Sequence, residues 1–501
     1  MNAVLRLGFF RSDLAHFGLG ALILFMTLAA STRVGEVLSV TLLVGLAVFG
    51  LVVIAFVGVP HVALATMIPI FCFLPMTKAL YVPWIGPLKD VVTVAAVAAA
   101  VVTVVQAARG GRRIPGDLWI VALCAFVLGL YVMNIGAGLE RTWGWGHGVR
   151  LFALPLSLLL VGLTLKHPRR TLRWALTSMI GTAVAVALVG IVQQLAGPSR
   201  LVEFGWLWNV NVRTMNGVLR SFGTLDEPFA YAAVLVFGLV AALMWAPRRP
   251  LTYAAVAVIS VGLTLSLVRS AALIAVALLA LLLARHGRMV SAVFMLAIVL
   301  VASTTFILSE EATERRVVQG GPELYLTLNG RTSAWQAVFE DAADVPLGRG
   351  VGEVGTAANR AEFQVTRTRQ EALAGSQALV VDSGYFAAAA DIGIVGLAGL
   401  LLLLGRLGLL GHRAARRGRP EGWVALGLVG ALALDAITRE SFTAFPTAYL
   451  GMLLIGLALA TAREADEEEP AAGAVPARKK ARARSRRRPI TGVPRPGATG
   501  A

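Results

Sequence analysis

Asn329-Gly330-Arg331 with Trp335, then Pro346-Leu-Gly348-Arg-Gly350-Val-Gly352, then Asp382-Ser383-Gly384-Tyr385, form one polar island in an otherwise apolar chain. The island, residues 309–383, is about 75 residues long and carries arginines, carboxylates, glycines and a tryptophan rather than the Pro, Ser and Gln of a linker. A loop of this length is usually functional or disordered, and this composition favours function. Arginine is the informative side chain. Its guanidinium stays charged and grips phosphate oxygens bidentately, so several arginines converging at a membrane face suit a phosphate or pyrophosphate ligand. Arg220, Arg269, Arg331 and Arg439 are the candidates.

The elements that must position them are membrane helices. Of 501 residues, 57% are hydrophobic and only 15% charged, which excludes a string of ordinary soluble domains. Apolar stretches of about 18 or more residues recur along the chain, enough to cross about 30 Å of hydrocarbon. They read as 14–31, 37–57, 61–80, 90–107, 118–137, 149–165, 172–195, 228–245, 251–267, 270–283, 289–308, 384–405, 423–437 and 443–461. The sequence thus predicts an all-α polytopic membrane protein of about fourteen (12–14) transmembrane helices, some kinked by Pro69, Pro75 and Pro155, with one large helix-containing extracytoplasmic loop. Four regions are expected: N-terminal helices at 1–171, a core at 172–405 that includes the loop, C-terminal helices at 406–462, and a disordered cytoplasmic tail at 463–501.

Cys72 and Cys124 both fall in apolar segments, so neither a disulfide framework nor a zinc site is encoded. The first apolar run, 14–31, is read as a transmembrane helix rather than a cleaved signal. The formal charge of +17 is no nucleic-acid signature, because nine of the basic residues sit in 478–495, behind the acidic Glu464-Ala-Asp466-Glu-Glu-Glu469 block. A tail attracted to anionic lipid is the simpler reading.

Lysine and arginine are concentrated in one set of connections, at Arg109, Arg112, Arg113, Lys166, Arg169, Arg170, Arg413, Arg416, Arg417 and their neighbours. Those connections are read as cytoplasmic, as are both termini, and the 309–383 loop as extracytoplasmic. Arg220, Arg269, Arg331 and Arg439, from four separate segments, then reach one outer face. Arg269 is the most telling, because Leu265-Ser266-Leu-Val-Arg269-Ser270 is a turn with almost no polar length, where a charge is expensive unless paired or facing a wet cavity. The bland alternative is interfacial arginines pairing with headgroups and carboxylates.

At 172–404 the chain resembles the O-antigen ligase and Wzy-type polysaccharide polymerase superfamily of integral membrane, GT-C-like glycosyltransferases. The resemblance rests on Arg220-Ser-Phe-Gly223-Thr-Leu-Asp226-Glu-Pro228, on Thr264-Leu-Ser266-Leu-Val-Arg269-Ser270, and on Gly330-Arg331 with Trp335 ahead of Pro346-Leu-Gly348-Arg-Gly350. It closes with Asp382-Ser-Gly-Tyr385 and Asp391-Ile-Gly393-Ile-Val-Gly396-Leu397. It implies transfer or polymerisation of a glycan from an undecaprenyl diphosphate-linked donor onto an acceptor sugar hydroxyl, at the outer face of a bacterial inner membrane and without metal or other cofactor. Arg220, Arg269 and Arg331 match the family's diphosphate-binding arginines, joined here by Arg439, and Arg269 and Arg331 would stabilise the leaving group.

Family ligases commonly carry a histidine near the loop's end, where this sequence has Asp382, and the loop contains none. Asp382 is the candidate general base, with a helix N-cap as its structural alternative. Asp226, Glu227 and Tyr385 are candidate acceptor contacts, the first two also suited to a helix start at Pro228. Trp143, Trp145 and His147 read as an interfacial belt. The missing histidine tilts the reading towards a polymerase, with an O-antigen-type ligase acting on a lipid or protein acceptor as the alternative. Expected partners are the lipid-linked glycan, the acceptor glycan or lipid-linked sugar, membrane lipid and a chain-length regulator. A flippase for the same lipid would spread charges through the membrane depth, whereas these gather at one face.

Overall fold

A computed structural model describes residues 36–82, 85–110, 117–135, 139–208, 211–215, 217–246, 249–286, 336, 340, 345–352 and 383–473. The described residues form twelve α-helices: α1 (Glu36–Gly58), α2 (Pro60–Leu80), α3 (Leu88–Arg109), α4 (Leu118–Met133), α5 (Leu139–Thr164), α6 (Pro168–Glu203), α7 (Pro228–Met244), α8 (Pro250–Leu265), α9 (Arg269–His286), α10 (Gly384–Arg416), α11 (Pro420–Thr438) and α12 (Thr447–Gly473). Each overlaps an expected span, with α5, α6, α10 and α12 running well beyond the expected bounds, and the spans expected at 14–31 and 289–308 lie outside the described residues. Among the described residues seven helices are long and apolar enough to cross a membrane and four apolar stretches are shorter, in keeping with an all-α polytopic membrane protein. A two-stranded hairpin, β1 (Thr214–Met215) with β2 (Val218–Leu219), is the departure from an all-α reading.

The helices start where local chemistry lets them. Prolines occupy the first turn of α2, α6, α7, α8 and α11, where a missing N–H costs nothing. Asp117 caps α4 by accepting the N–H groups of Trp119 at 3.0 Å and Ile120 at 3.3 Å. α12 runs on to Gly473, past the point where the sequence predicts the tail to begin. Its acidic end is rich in the helix formers Glu and Ala, and Asp466 pairs with Arg417 and, at 3.5 Å, with Arg419.

Buried small residues let the helices approach closely. α5 and α12 meet where Gly162 faces Leu453 and Gly456 faces Leu159, so near that a Cβ on either glycine would overlap the opposing backbone. α12 and α7 are the most enclosed elements, their core filled by Tyr231, Phe237 and Tyr449. α10 packs on α11 and α4, α11 on α12 and α7, and α6 on α2, α7 and α8. One end of the bundle gathers Asn134, Arg220, Glu227, Ser266, residues 345–352, Ser383 and Arg439, and the other gathers Asp117, Arg406, Arg417 and Asp466.

Candidate functional site at one end of the bundle

The segment from Arg220 to Glu227 is strapped to three helices by its backbone. Ser221 donates its N–H to the carbonyl of Leu265 at 3.0 Å and its hydroxyl to the carbonyl of Gly190 at 2.9 Å. Gln193, buried in α6, accepts the N–H groups of Phe222 at 3.1 Å and Gly223 at 2.8 Å and donates to the Gly223 carbonyl at 2.7 Å. Gly223 takes a φ of +57°, and a Cβ there would press on the Tyr231 ring at 2.6 Å.

Thr224 enters the hydrogen-bond ladder of α2. Its hydroxyl donates to the Cys72 carbonyl at 2.7 Å, while its carbonyl accepts the N–H of Met76 at 3.0 Å. Cys72 and Met76 would ordinarily bond each other one turn apart in the helix, and Pro75 sits between them, so Thr224 supplies partners where α2 opens.

Arg220 emerges from this frame directly after the hairpin, its N–H on the carbonyl of Arg213 at 2.8 Å. Its guanidinium lies 4.9 Å from the centre of the Phe229 ring, and its Nε reaches the carbonyl of Ser266 at 3.5 Å. Ser266 is in the short turn between α8 and α9. Its hydroxyl donates to the Leu263 carbonyl at 2.6 Å and accepts the N–H of Val268 at 3.2 Å, while Leu267 stands at φ +52°. A branched residue held in the left-handed region stores roughly 1–2 kcal/mol. The backbone of Arg269 opens α9 two residues further on, so the turn expected to present Arg269 sits against Arg220; the Arg269 side chain lies outside the described residues.

Arg439 is 7% exposed, at the C-terminus of α11. Its Nε lies 3.0 Å from Asp435 Oδ2 and donates to Ser441 Oγ at 3.2 Å, and its Nη2 donates to Thr447 Oγ1 at 3.0 Å. Ser441 donates in turn to Asp435 at 2.7 Å. The remaining nitrogen, Nη1, makes no hydrogen bond among the described residues and lies 3.8 Å from Glu227 Oε1. Glu227 occupies the N-cap position of α7 with its side chain making no cap hydrogen bond, so its carboxylate faces the arginine instead.

The first turn of α7 therefore brings Arg220, on Phe229, and Arg439, on Glu227, to one place. A helix N-terminus adds positive potential of its own. Arg439 is already answered by Asp435 and Glu227, so among the described residues the positive potential here comes from Arg220 and the start of α7.

The other expected residues divide. Asp226 is exposed, its carbonyl holding the amide of Asn211 at 2.9 Å. The Tyr385 hydroxyl donates to the Ala433 carbonyl at 2.8 Å and its ring stands edge-on to Phe442, so its observed partners join α10 to α11. Ser383, not Asp382, is the N-cap residue of α10; its hydroxyl donates to Ala436 at 3.1 Å, and Gly384 donates to the Arg439 carbonyl at 2.9 Å. Arg331, Trp335 and Asp382 lie outside the described residues. Trp145 donates to the Val132 carbonyl at 3.2 Å.

The glycine-rich stretch 345–352 has a structural task. Arg349 donates its N–H to Ala390 at 2.8 Å, Val351 to Asn134 at 3.1 Å, and Gly352 to the Asp391 carboxylate at 3.1 Å, while the Asn134 amide bonds the carbonyls of Leu347 and Asp391. Gly352 (φ +88°) lies against Gly144 of α5, where a Cβ on Gly144 would come within 2.7 Å of the Gly352 carbonyl oxygen. Gly348 (φ +89°) nests in the break of α10 at Gly393.

Sequence reasoning passed over Gln193, Thr224, Asp435, and a further charged group at the same end. Lys89 lies 4.8 Å from the centre of the Phe445 ring, and Arg150 Nη1 lies 3.7 Å from Asp90 Oδ2. Charges at the head of apolar spans were the available signal for the last group. The Asn216-Gly217 pair was the signal for the hairpin.

A polytopic helical membrane protein with arginines and carboxylates gathered at one end of its bundle is the class these features define. Residues 254–401 match the model of the O-antigen ligase family, Wzy_C, which supports the O-antigen ligase and Wzy-type superfamily. The match runs from α8 through α9 to α10 and includes Ser266, Arg269, residues 345–352 and Ser383. It supports a membrane glycan ligase or polymerase type of function, with a lipid-linked glycan and an acceptor as partners in general. No curated protein matches the chain.

Proposed function

We propose that this protein is a glycosyltransferase that polymerises glycan from an undecaprenyl diphosphate-linked donor at the extracytoplasmic face of a bacterial inner membrane. The observation that carries the reading is Arg220 at the first turn of α7, against the Ser266 turn that leads into Arg269, with the family match covering that turn. A diphosphate is the ligand whose charge and paired oxygens suit such a group.

The acceptor hydroxyl gives its proton to Asp382 while its oxygen bonds to the anomeric carbon of the donor sugar. The bond from that carbon to the diphosphate oxygen breaks, and the diphosphate leaves with the electron pair. Arg220, Arg269 and Arg331 hold the developing charge, Arg439 adds to the field, and no metal is required. Glu227 and Asp226 flank the arginines where an acceptor sugar would enter, with Tyr385 bordering the same region.

The test is an assay of the purified protein in detergent with an undecaprenyl diphosphate-linked oligosaccharide, alone and with a separate lipid acceptor, for wild type, Arg220→Ala, Arg269→Ala and Asp382→Asn. Lengthened glycans from donor alone, lost in the variants, are expected. Product only with the second acceptor would make the protein a ligase. Lipid flipping in liposomes with no product would replace the enzyme by a transporter, and full activity of Asp382→Asn would remove Asp382 as base.

A further inference from the structure

The β1–β2 hairpin stands beyond the ends of α2 and α6, at the end of the bundle that holds the candidate site, and its two faces differ. Met215 pairs with Val218 beside the turn and Thr214 with Leu219, and the N–H of Arg220 donates to the carbonyl of Arg213, so the ladder runs one pair further. Side chains alternate along a strand, and residues directly opposite each other share a face. Val212 and Leu219 turn inwards, packed with Leu201, Trp206 and Phe222 against Met76 and Leu80 of α2. Arg213, Met215, Val218 and Arg220 share the other face. Its arginines stand nearest the bundle and its apolar pair at the tip, where Val218 is 38% exposed. Phe204, Leu207 and Trp208, which lie past the end of α6 on the way to the hairpin, are exposed as well.

We infer that the outward face of the hairpin carries the polyprenyl chain of the donor, whose first isoprene units lie on Met215 and Val218 while the diphosphate is at Arg220. The inference rests on the proposed function and adds the place of the lipid tail. Strand residues two apart are separated by about 7 Å, so Val218 is within reach of the carbons bonded directly to a diphosphate held at Arg220. A prenyl diphosphate has hydrocarbon at that distance from its charge, and Met215 and Val218 answer hydrocarbon. A phospholipid has glycerol ester groups there instead, and neither side chain has a hydrogen-bond donor to offer them. Further along the chain, Leu207 and Trp208 continue an apolar, aromatic surface of the kind found at a membrane boundary.

The experiment measures binding of undecaprenyl diphosphate, and of inorganic pyrophosphate as the head without the chain, to the full-length protein in detergent. Met215→Ser/Val218→Ser should weaken undecaprenyl diphosphate at least about tenfold and leave pyrophosphate unchanged, because only apolar contact is removed. Arg220→Ala should weaken both. Leu251→Ser, at a residue 81% exposed on the opposite end of the bundle, is the control and should bind both probes as wild type does. A benzophenone amino acid placed at Val218 should capture the prenyl chain when undecaprenyl diphosphate and phosphatidylglycerol are supplied together. Undiminished undecaprenyl diphosphate binding by the double variant, or capture of phosphatidylglycerol in place of the prenyl chain, would overturn the inference and leave the proposed function standing. A wild-type protein that binds neither diphosphate would overturn both.

Discussion

Gln193 and Gly223 are joined through both ends of one carboxamide, the Gly223 N–H donating to Oε1 at 2.8 Å and Nε2 donating to the Gly223 carbonyl at 2.7 Å. A side chain of α6 thus does what a neighbouring strand would do, and it fixes the segment from which Arg220 projects.

Replacing Gln193 by leucine leaves buried N–H and C=O groups of Phe222 and Gly223 without partners, at a cost of about 1–3 kcal/mol for each. The expected outcome is a lowered unfolding temperature in detergent and at least a tenfold loss of glycan product. Gln193→Glu keeps the acceptor for the two N–H groups but sets a buried carboxylate oxygen against the Gly223 carbonyl, so it too should lower stability and activity. A Gln193→Leu protein with wild-type stability would contradict this role.

Arg439 and Arg220 should separate when stability and activity are measured together. Arg439→Ala leaves the buried Asp435 carboxylate without its cation, a change that typically costs about 3–5 kcal/mol. Arg439→Ala combined with Asp435→Ala should recover most of that stability but not the activity. Arg220→Ala is expected to unfold near the wild-type temperature yet lose about a hundredfold in product formation, as when one charge-stabilising group is removed from an active site.

Gly352→Ala should fail more severely than its single methyl suggests, because the backbone is in the left-handed region and the new Cβ would overlap Gly144. Reduced yield of folded protein is the readout. Gly405→Ala in α10, where nothing lies within 4 Å of the added carbon, provides the comparison and should be tolerated.

The opposite end of the bundle has a pH signature. Burial pulls the Asp117 carboxyl upward, but the hydrogen bond and charge of Arg406 and the N–H groups of Ile120 and Trp119 outweigh it, so its pKa lies below the ordinary carboxylate value. A depressed folded pKa means that the unfolded chain binds the proton more readily, and stability rises with pH. The contribution is full above the unfolded value of about 4 and is lost as the pH falls through the lower folded value. Unfolding temperatures measured between pH 7 and pH 3 should drop less steeply for Asp117→Asn than for wild type, and parallel curves would refute the linkage.

The sequence by itself marked out the twelve helices of the described residues, since apolar length is a property of one window of chain and needs no knowledge of neighbours. It also singled out Arg220 and the turn before Arg269, because charge is conspicuous where the surrounding residues offer no water. Tertiary structure decided the rest. That Thr224 would bond across to Cys72 and Met76, or Gln193 to Gly223, depends on which helices pack together, and a threonine or glutamine in an apolar span carries no mark of its partner. The glycines of 345–352 looked like part of the chemistry, yet their observed contacts are with the break at Gly393 and the backbone of Gly144. Arg439, expected to bind ligand, proved to be held on most of its fork by Asp435, Ser441 and Thr447, with one nitrogen turned to Glu227. Close approach and shared polar partners are pairwise properties of folded segments, so they could be read only once the segments were in place.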